Sequence, residues 1–337
     1  METSIYGKMM NMEKKTILPI DSFVLALFAI VLLATIFPCR GGWAVLFEYA
    51  KTIGIFLLFF LHGAKLSRES IRNGLLNVKL QMATLLVTFV LFPVLGLVLV
   101  RIPYLEPTFI PGLCFLTFLP STVQSSIAFT AIAKGNVPSA VCAATLSNLI
   151  GIFLTPILVA IFLHTEDSQV LHASYFAESI KKISLQLLLP FVLGHLARPR
   201  IGTWVDKHKT LLGRVDRGSI LLVVYTAFSA SIVDGLWNRT SLSGLIALTA
   251  ICAGLLAIVF LVAWKLGIWL KLERADKIVL FFCGSKKSLA TGVPIAGALF
   301  PASEIGLMIL PIMIFHQIQL IACAIIAPRL TRNSEKP

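Results

Sequence analysis

Two adjacent lysines, Lys286 and Lys287, lie near the middle of an apolar stretch that runs from about residue 278 to residue 300. A lysine in the hydrocarbon core of a membrane costs roughly 3 kcal/mol even on lenient insertion scales. Such residues usually face a cavity, a partner or a substrate. The pair is therefore the strongest indication of function in the chain, and its chemistry is that of two buried cations.

No acidic residue can pair with these lysines at mid-membrane. All 16 acidic residues fall in predicted loops or at the ends of predicted spans. A carboxylate-based sodium or proton site at the midplane is therefore not expected. Each lysine must be satisfied by backbone carbonyls, hydroxyls and water, by loss of its proton, or by an anionic substrate. The remaining alternative is that one lysine faces a wet vestibule without a specific role.

The composition around the pair is that of a polytopic membrane protein. The chain has 337 residues, of which 57% are hydrophobic and only 13% are charged, whereas a soluble domain carries about 25% charged residues. A bilayer-spanning helix needs about 20 apolar residues. Ten stretches meet this length, at residues 18–38, 44–62, 79–100, 107–133, 137–163, 179–197, 218–237, 242–266, 277–300 and 304–328.

The basic residues predict how these spans are oriented. With the N-terminus inside, the inner segments hold 21 lysines and arginines and the outer segments hold 6. Cytoplasmic loops are enriched in basic residues, so we expect a multi-pass protein of the inner or plasma membrane with both termini in the cytoplasm. The net charge of +13 then reflects membrane topology, and we do not expect a nucleic-acid partner.

Ten spans divide into two five-helix repeats, at residues 17–164 and 178–328. An odd number of spans in each half gives the halves opposite orientations, which is the inverted repeat found in many secondary transporters. A short sequence match supports this division. When Gln124 is aligned with Lys286, Ser126 coincides with Ser288 and Gly135 coincides with Gly297. The match relates the fourth span to the ninth.

The fourth and ninth spans are also unusually polar and carry proline and glycine. Interrupted helices are tolerated where they line a cavity, and in transporters they mark the binding site. The alternative is two kinked helices that pack through small polar residues. The candidate substrate- or ion-binding residues are Ser121, Thr122, Gln124, Ser125, Ser126, Thr145, Ser147, Asn148, Ser285, Lys286, Lys287, Ser288, His316, Gln317 and Gln319.

Two features refine this set. His316 and Gln319 are three residues apart, so they share one helix face. Sodium is a candidate ligand near Ser125 and Ser126, although no confident metal site is predicted. The cysteines have no zinc or redox spacing, and a disulfide framework is not expected.

These segments resemble the bile acid:sodium symporter family, solute carrier family 10, and especially its SBF-like branch, which contains the seventh member and its bacterial relatives. The resemblance implies ten helices, with a panel of spans 1, 2, 6 and 7 and a core of spans 3–5 and 8–10. It also implies that the discontinuous fourth and ninth spans cross. The matching segments are residues 57–71, 119–158, 185–202, 219–229, 282–301 and 314–321.

The chain differs from the sodium-coupled members of the family at two sodium-ligand positions of the ninth span. Sodium-coupled members of the family use a glutamate and a glutamine of the ninth span as ligands. Here Phe282 stands in the glutamate position and Lys286 stands in the glutamine position. Membership of the family therefore does not imply sodium coupling, and a lysine becomes a built-in cation at the place where sodium would bind.

We thus predict an all-α membrane protein that moves a small organic anion across the bilayer by alternating access, as a secondary transporter of the symporter kind. No cofactor is expected, and coupling to sodium, to protons or to neither stays open. The alternative is a membrane regulator without transport activity, acting through a protein partner at the basic loop 198–217. An enzyme is least favoured, because no metal-ligand spacing or nucleophile motif occurs.

Overall fold

The computed structural model describes residues 22–65, 77–99, 101, 105–163, 184–235 and 240–332, and within these ranges every regular element is a helix. The helices are α1 (Ser22–Ile36), α2 (Gly42–Lys65), α3 (Val78–Leu99), α4 (Ile110–Phe118), α5 (Gln124–Ile132), α6 (Val137–Phe162), α7 (Leu189–Lys207), α8 (Lys209–Val233), α9 (Leu242–Trp269), α10 (Arg274–Gly284), α11 (Leu289–Leu299) and α12 (Ala302–Arg332).

Seven helical stretches in the described ranges are long and apolar enough to cross a membrane, and two shorter apolar helices accompany them. The protein is therefore a multi-pass membrane protein, while the count of ten spans stays a prediction. The predicted span ends at residues 18, 100, 179 and 237 lie outside the described residues. The seven long stretches are Gly42–Lys65, Val78–Leu99, Val137–Phe162, Thr210–Val233, Leu242–Trp269, Arg274–Leu299 and Ala302–Thr331.

The prediction of a basic loop at residues 198–217 is wrong. Helix α7 continues to Lys207, and α8 begins at Lys209, so nearly the whole segment is helical. Hydropathy detects only the apolar part of a helix, and a helix can continue beyond it when its charged side chains find partners. Arg198 donates to the Ala64 carbonyl and approaches Asp206 at 3.5 Å.

Helices α1, α2, α7 and α8 pack on one another as a group, which we call the panel group. Its closest approach is a crossing of α2 and α7 at two glycines. A Cβ atom at Gly63 would lie 1.9 Å from the Phe191 carbonyl oxygen, and one at Gly194 would lie 1.9 Å from the Phe60 carbonyl oxygen. The two backbones are therefore in direct contact, which only glycine permits at these positions.

The remaining helices surround a buried pair, α10 and α11. In the Arg274–Leu299 stretch, 94% of the apolar window is buried inside the protein, against 28–50% for the other long stretches. Lipid therefore contacts little of α10 and α11. Helix α10 packs against α3, α5, α6 and α9, and α11 packs against α8 and α12.

Two interruptions meet in this interior. The first, between α4 and α5, comprises residues 119–123, and the second, between α10 and α11, comprises residues 285–288. Pro120 has no N–H to continue a helix, and Ser288 ends the second interruption by accepting a hydrogen bond from the Thr291 N–H at 3.1 Å. The Ser288 N–H donates to the Pro120 carbonyl at 2.9 Å. The two interruptions therefore touch through their backbones.

Candidate functional site

Lys287 points into a ring of backbone carbonyls. Its Nζ donates to the carbonyl oxygens of Thr88 at 2.8 Å, Thr117 at 2.8 Å and Leu119 at 2.7 Å. Three simultaneous acceptors match the three N–H bonds that an ammonium group can donate. The Nζ also lies 4.1 Å from the centre of the Phe92 ring, and the side chain is fully buried.

The Thr88 carbonyl is available because α3 contains a π-helical segment, Val87–Leu91. In a regular α-helix the Phe92 N–H would bond to Thr88, but here it bonds to the Val87 carbonyl. The next residue, Pro93, has no N–H to offer. The helix thus leaves the Thr88 carbonyl without a donor, and the ammonium group of Lys287 takes that place.

The first interruption frees carbonyls in the same way, and donors from elsewhere in the protein occupy five in succession. An unpaired buried carbonyl is costly, so these donors stabilise the break. Thr117 and Leu119 accept from Lys287 Nζ, Phe118 accepts from Thr155 Oγ1 at 2.8 Å, Pro120 accepts from the Ser288 N–H at 2.9 Å, and Ser121 accepts from Asn148 Nδ2 at 2.7 Å.

A glutamine from α12 holds the backbone of the second interruption. Gln319 Oε1 accepts from the Lys287 N–H at 2.9 Å, and its Nε2 donates to the Lys287 carbonyl at 3.0 Å. The same Nε2 lies 2.8 Å from His316 Nδ1. The two α12 residues share a face, as their spacing predicts. Together they fix the chain on both sides of the Lys287 side chain.

Lys286 has the opposite environment although it is equally buried. Its Nζ makes no hydrogen bond to any described residue. Two aromatic rings face it: the centre of the Phe129 ring lies 4.1 Å from Nζ and that of Phe282 lies 5.5 Å away. These two rings stack on each other with centroids 6.0 Å apart. The Lys286 amino group is thus held among apolar side chains without a hydrogen-bond acceptor.

Hydroxyl groups near the start of α5 satisfy one another. Thr122 Oγ1 lies 2.9 Å from Ser126 Oγ and accepts from Ser125 Oγ at 2.9 Å. Ser126 Oγ also lies in donor range of the Phe282 carbonyl, at 3.2 Å. This group offers a cation only neutral oxygens. Within the described ranges, no three His, Cys, Asp or Glu side chains cluster closely enough to hold a metal ion.

A second polar chain joins α6 to α11. Thr291 Oγ1 donates to Asn148 Oδ1 at 2.8 Å and accepts from Ser288 Oγ at 2.9 Å. Ser147 Oγ accepts from the Ser121 N–H at 3.0 Å. The Ser121 hydroxyl itself is buried and has no hydrogen-bond partner among the described residues. It is the second unpaired polar group, after Lys286, at the two interruptions.

Four predicted site residues stand apart from these contacts. Gln124 is exposed at the first position of α5, and Thr145 and Gln317 are half-buried without a hydrogen bond to either interruption. Ser285 is buried, but its hydroxyl donates to the Phe281 carbonyl of its own helix. The structure therefore brings together the other predicted residues, and these four lie outside the hydrogen bonds that join the two interruptions.

Four threonines that the sequence did not predict complete the site. Thr88 and Thr117 contribute only backbone carbonyls, which carry no sequence signal. In a regular helix Pro93 would leave the Phe89 carbonyl without a donor, and only the π segment shifts this vacancy to Thr88. Thr291 could have been found, because it lies three residues after the Ser288 cap. Thr155 bonds to the Phe118 carbonyl across the first interruption.

A cavity of about 890 Å³ lies where the panel group meets the start of α12. It is mostly apolar and is bordered by the link between α1 and α2 and by the last turns of α8. Arg40 lines it together with two carboxylates, Glu48 and Asp234. Ser229 also lines it with a buried hydroxyl that has no partner among the described residues.

The fold and the site define a class: a multi-pass membrane protein with two interrupted helices that meet in its interior and carry buried lysines there. A model of the SBF-like CPA transporter family matches residues 21–332, and the chain belongs to this family. The family is one of transporters and not of enzymes.

Relatives with similar sequences carry names that agree with this class. The chain is 48% identical over 319 residues to "Putative symporter YfeH" of Escherichia coli K12, covering 94% of this chain and 95% of the relative. It is 50% identical over 326 residues to an uncharacterised protein of Pseudomonas aeruginosa, covering 96% of each. It is 25% identical over 320 residues to "Sodium/bile acid cotransporter 7" of Xenopus tropicalis, covering 91% of each.

Proposed function

We propose that the protein is a secondary transporter of a small organic anion and that Lys286 supplies the charge that binds it. The observation that carries the proposal is the fully buried Lys286 Nζ, which has no hydrogen-bond partner among the described residues. An ammonium group in an apolar interior is strongly destabilising unless a counter-charge reaches it. An anionic substrate would be that counter-charge.

Helix α5 supports the same assignment. It begins at the first interruption, and its N-cap residue Val123 makes no side-chain cap. The N-terminus of a helix carries a partial positive charge and free N–H groups, which favour an anion. Lys286 lies against Phe129 of this helix. A carboxylate or sulfonate held between them would receive both a formal charge and backbone donors.

Movement of the panel group against the other helices would give the substrate access to this interior. We propose that residues 17–164 and 178–328 are inverted repeats, that both termini are cytoplasmic, and that the panel group rocks in alternating access. The 890 Å³ cavity beside α12 has the size of a small-molecule site. It is a candidate entrance for a small, largely apolar molecule.

A transport assay tests the role of Lys286. The purified protein, reconstituted in liposomes, would be screened with radiolabelled organic carboxylates and sulfonates, and Lys286→Met would then be compared with wild type. We expect uptake to fall at least about tenfold, because a lost charge-assisted contact in a dry site is worth 1.5 kcal/mol or more. Lys265→Met, on the exposed face of α9, is the control and should transport normally. Undiminished uptake by Lys286→Met would rule out the assigned role.

We also propose that sodium does not bind at the two interruptions. The hydroxyls of Thr122, Ser125 and Ser126 bond to one another and to a neutral carbonyl, and no carboxylate joins them. The melting temperature in detergent should therefore be the same in sodium chloride and in choline chloride. A sodium-dependent rise that Ser126→Ala abolishes would contradict this proposal and would restore sodium coupling.

A further inference from the structure

The carbonyl ring around Lys287 has the chemistry of a monovalent-cation site. Three backbone carbonyl oxygens converge within 2.7–2.8 Å of one nitrogen, and rings of carbonyls are how proteins replace the hydration shell of potassium. The face of Phe92, 4.1 Å from Nζ, adds a second element that attracts cations. No acidic side chain of the described residues forms an ion pair here.

We propose that Lys287 is a tethered cation: it fills a site whose ligands select a small monovalent cation, and the cation is attached to the chain. The consequence is a site for a free cation that is hidden in the native protein. Once the side chain is shortened, methylammonium, or an alkali cation of similar radius, should occupy the ring. This inference does not depend on anion transport, since it concerns only the ligands of the ammonium group.

The ring joins three parts of the protein, and this gives the cation its role. Thr88 lies at the π segment of α3, Thr117 and Leu119 lie at the end of α4, and Lys287 lies in the second interruption. The carbonyl end of a helix carries partial negative charge, so a cation at the end of α4 is favoured. The Lys287 ammonium group therefore links the two interruptions permanently. A diffusible ion would link them only while it was bound.

Backbone features other than the Lys287 side chain also position the three carbonyls of the ring. Thr88 is left without a donor by the π segment and by Pro93, and α4 ends at Phe118 with Leu119 in an extended conformation. Gln319 holds the backbone of Lys287 on both sides. Removal of the ammonium group would thus leave acceptors that still converge, which is the condition for rescue by a free cation.

The test uses thermal unfolding of the full-length protein in detergent with Lys287→Ala and Lys287→Met. Both variants should melt lower than wild type by about 5 °C or more, because three buried carbonyls lose their donor. Methylammonium chloride should then raise the melting temperature of Lys287→Ala in a saturable manner, as ligand linkage requires. It should not do so for Lys287→Met, whose side chain fills the space, or for wild type. Choline chloride, whose cation is too large for the ring, corrects for ionic strength.

The neighbouring lysine provides a matched control. Lys286→Ala removes an equally buried side chain of the same size from a chamber without carbonyl ligands. Its melting temperature should therefore respond no more to methylammonium than to choline.

Several results would overturn the proposal. They are a Lys287→Ala protein that is indifferent to methylammonium, sodium and potassium, an equal response in Lys286→Ala, or a Lys287→Met protein as stable as wild type. Failure to recover Lys287→Ala from membranes even when methylammonium is present throughout would also overturn it, because the empty ring would then not accept a free cation.

Discussion

The chambers that hold Lys286 and Lys287 differ sharply, although the side chains are identical and both are fully buried. Lys287 has three carbonyl acceptors, whereas Lys286 has none among the residues that the structure describes. Each Nζ lies 4.1 Å from the centre of one aromatic ring, so the aromatic geometry is similar in both. The main difference between the two chambers is therefore the presence or absence of hydrogen-bond acceptors.

This difference separates a structural charge from a functional one. A buried ammonium group with all its N–H bonds satisfied stabilises the acceptors around it. A buried ammonium group without acceptors destabilises the protein and is retained where function requires it. Lys287 thus contributes to the architecture of the interruptions, and Lys286 is the residue to which we assign the ligand in our proposal.

Methionine substitution should separate the two lysines most strongly. We expect Lys287→Met to lower the free energy of unfolding by about 3–5 kcal/mol, because buried carbonyls are left unpaired. We expect Lys286→Met to leave it unchanged or to raise it by up to about 2 kcal/mol, because an unpaired buried charge is removed. Thermal or denaturant unfolding in detergent measures both. Equal losses in the two variants would mean that the chambers are energetically alike.

The next effect concerns the glutamine that positions Lys287. Gln319→Leu should cost about 2–4 kcal/mol of unfolding free energy, because it leaves both the N–H and the carbonyl of Lys287 unpaired in the interior. Gln317→Leu, two residues away and half-buried, is the control and should change the free energy by less than about 0.5 kcal/mol. A small effect of Gln319→Leu would show that the second interruption keeps its shape without α12.

Double-mutant cycles would sharpen the comparison of the aromatic contacts. For Phe129→Leu combined with Lys286→Met we expect a coupling energy of about 1–2 kcal/mol, since the ring is the main partner of that charge. For Phe92→Leu with Lys287→Met the coupling should be smaller, about 0.5 kcal/mol, because the carbonyls screen the ring's contribution. The unfolding free energies of the four single and two double variants measure both couplings. A reversed order would place the stronger cation–π contact at the carbonyl ring.

The smallest effect tests the residue that follows the pair. Ser288→Ala removes the side-chain cap of α11 and should cost about 1 kcal/mol. Ser285→Ala removes a bond to the carbonyl of its own helix, so its effect should be about 0.5 kcal/mol or less. Unfolding in detergent compares them. If Ser285→Ala were the more damaging variant, the second interruption would depend on the end of α10 and not on the cap of α11.

The sequence also predicted parts of the fold correctly and one part wrongly. Apolar length and composition identified a multi-pass helical protein, and Pro120 and Ser288 mark the interruptions because a missing N–H and a helix cap act locally. The prediction of a loop at residues 198–217 was wrong, because hydropathy detects only the apolar part of a helix. The helices continue, since Arg198 finds a carbonyl and a carboxylate as partners.

The sequence by itself determined that two lysines lie in a membrane-spanning stretch, that no carboxylate is available to them, and that His316 and Gln319 share a helix face. These conclusions follow from residue types and from helix periodicity, which are local. Only the tertiary structure decided which lysine is satisfied. The acceptors of Lys287 are backbone carbonyls from residues 168 to 199 positions away in the chain, and a carbonyl becomes an acceptor only when its own helix is interrupted. Whether a helix is interrupted depends on backbone geometry and packing. Two identical adjacent residues in a sequence give no information about either.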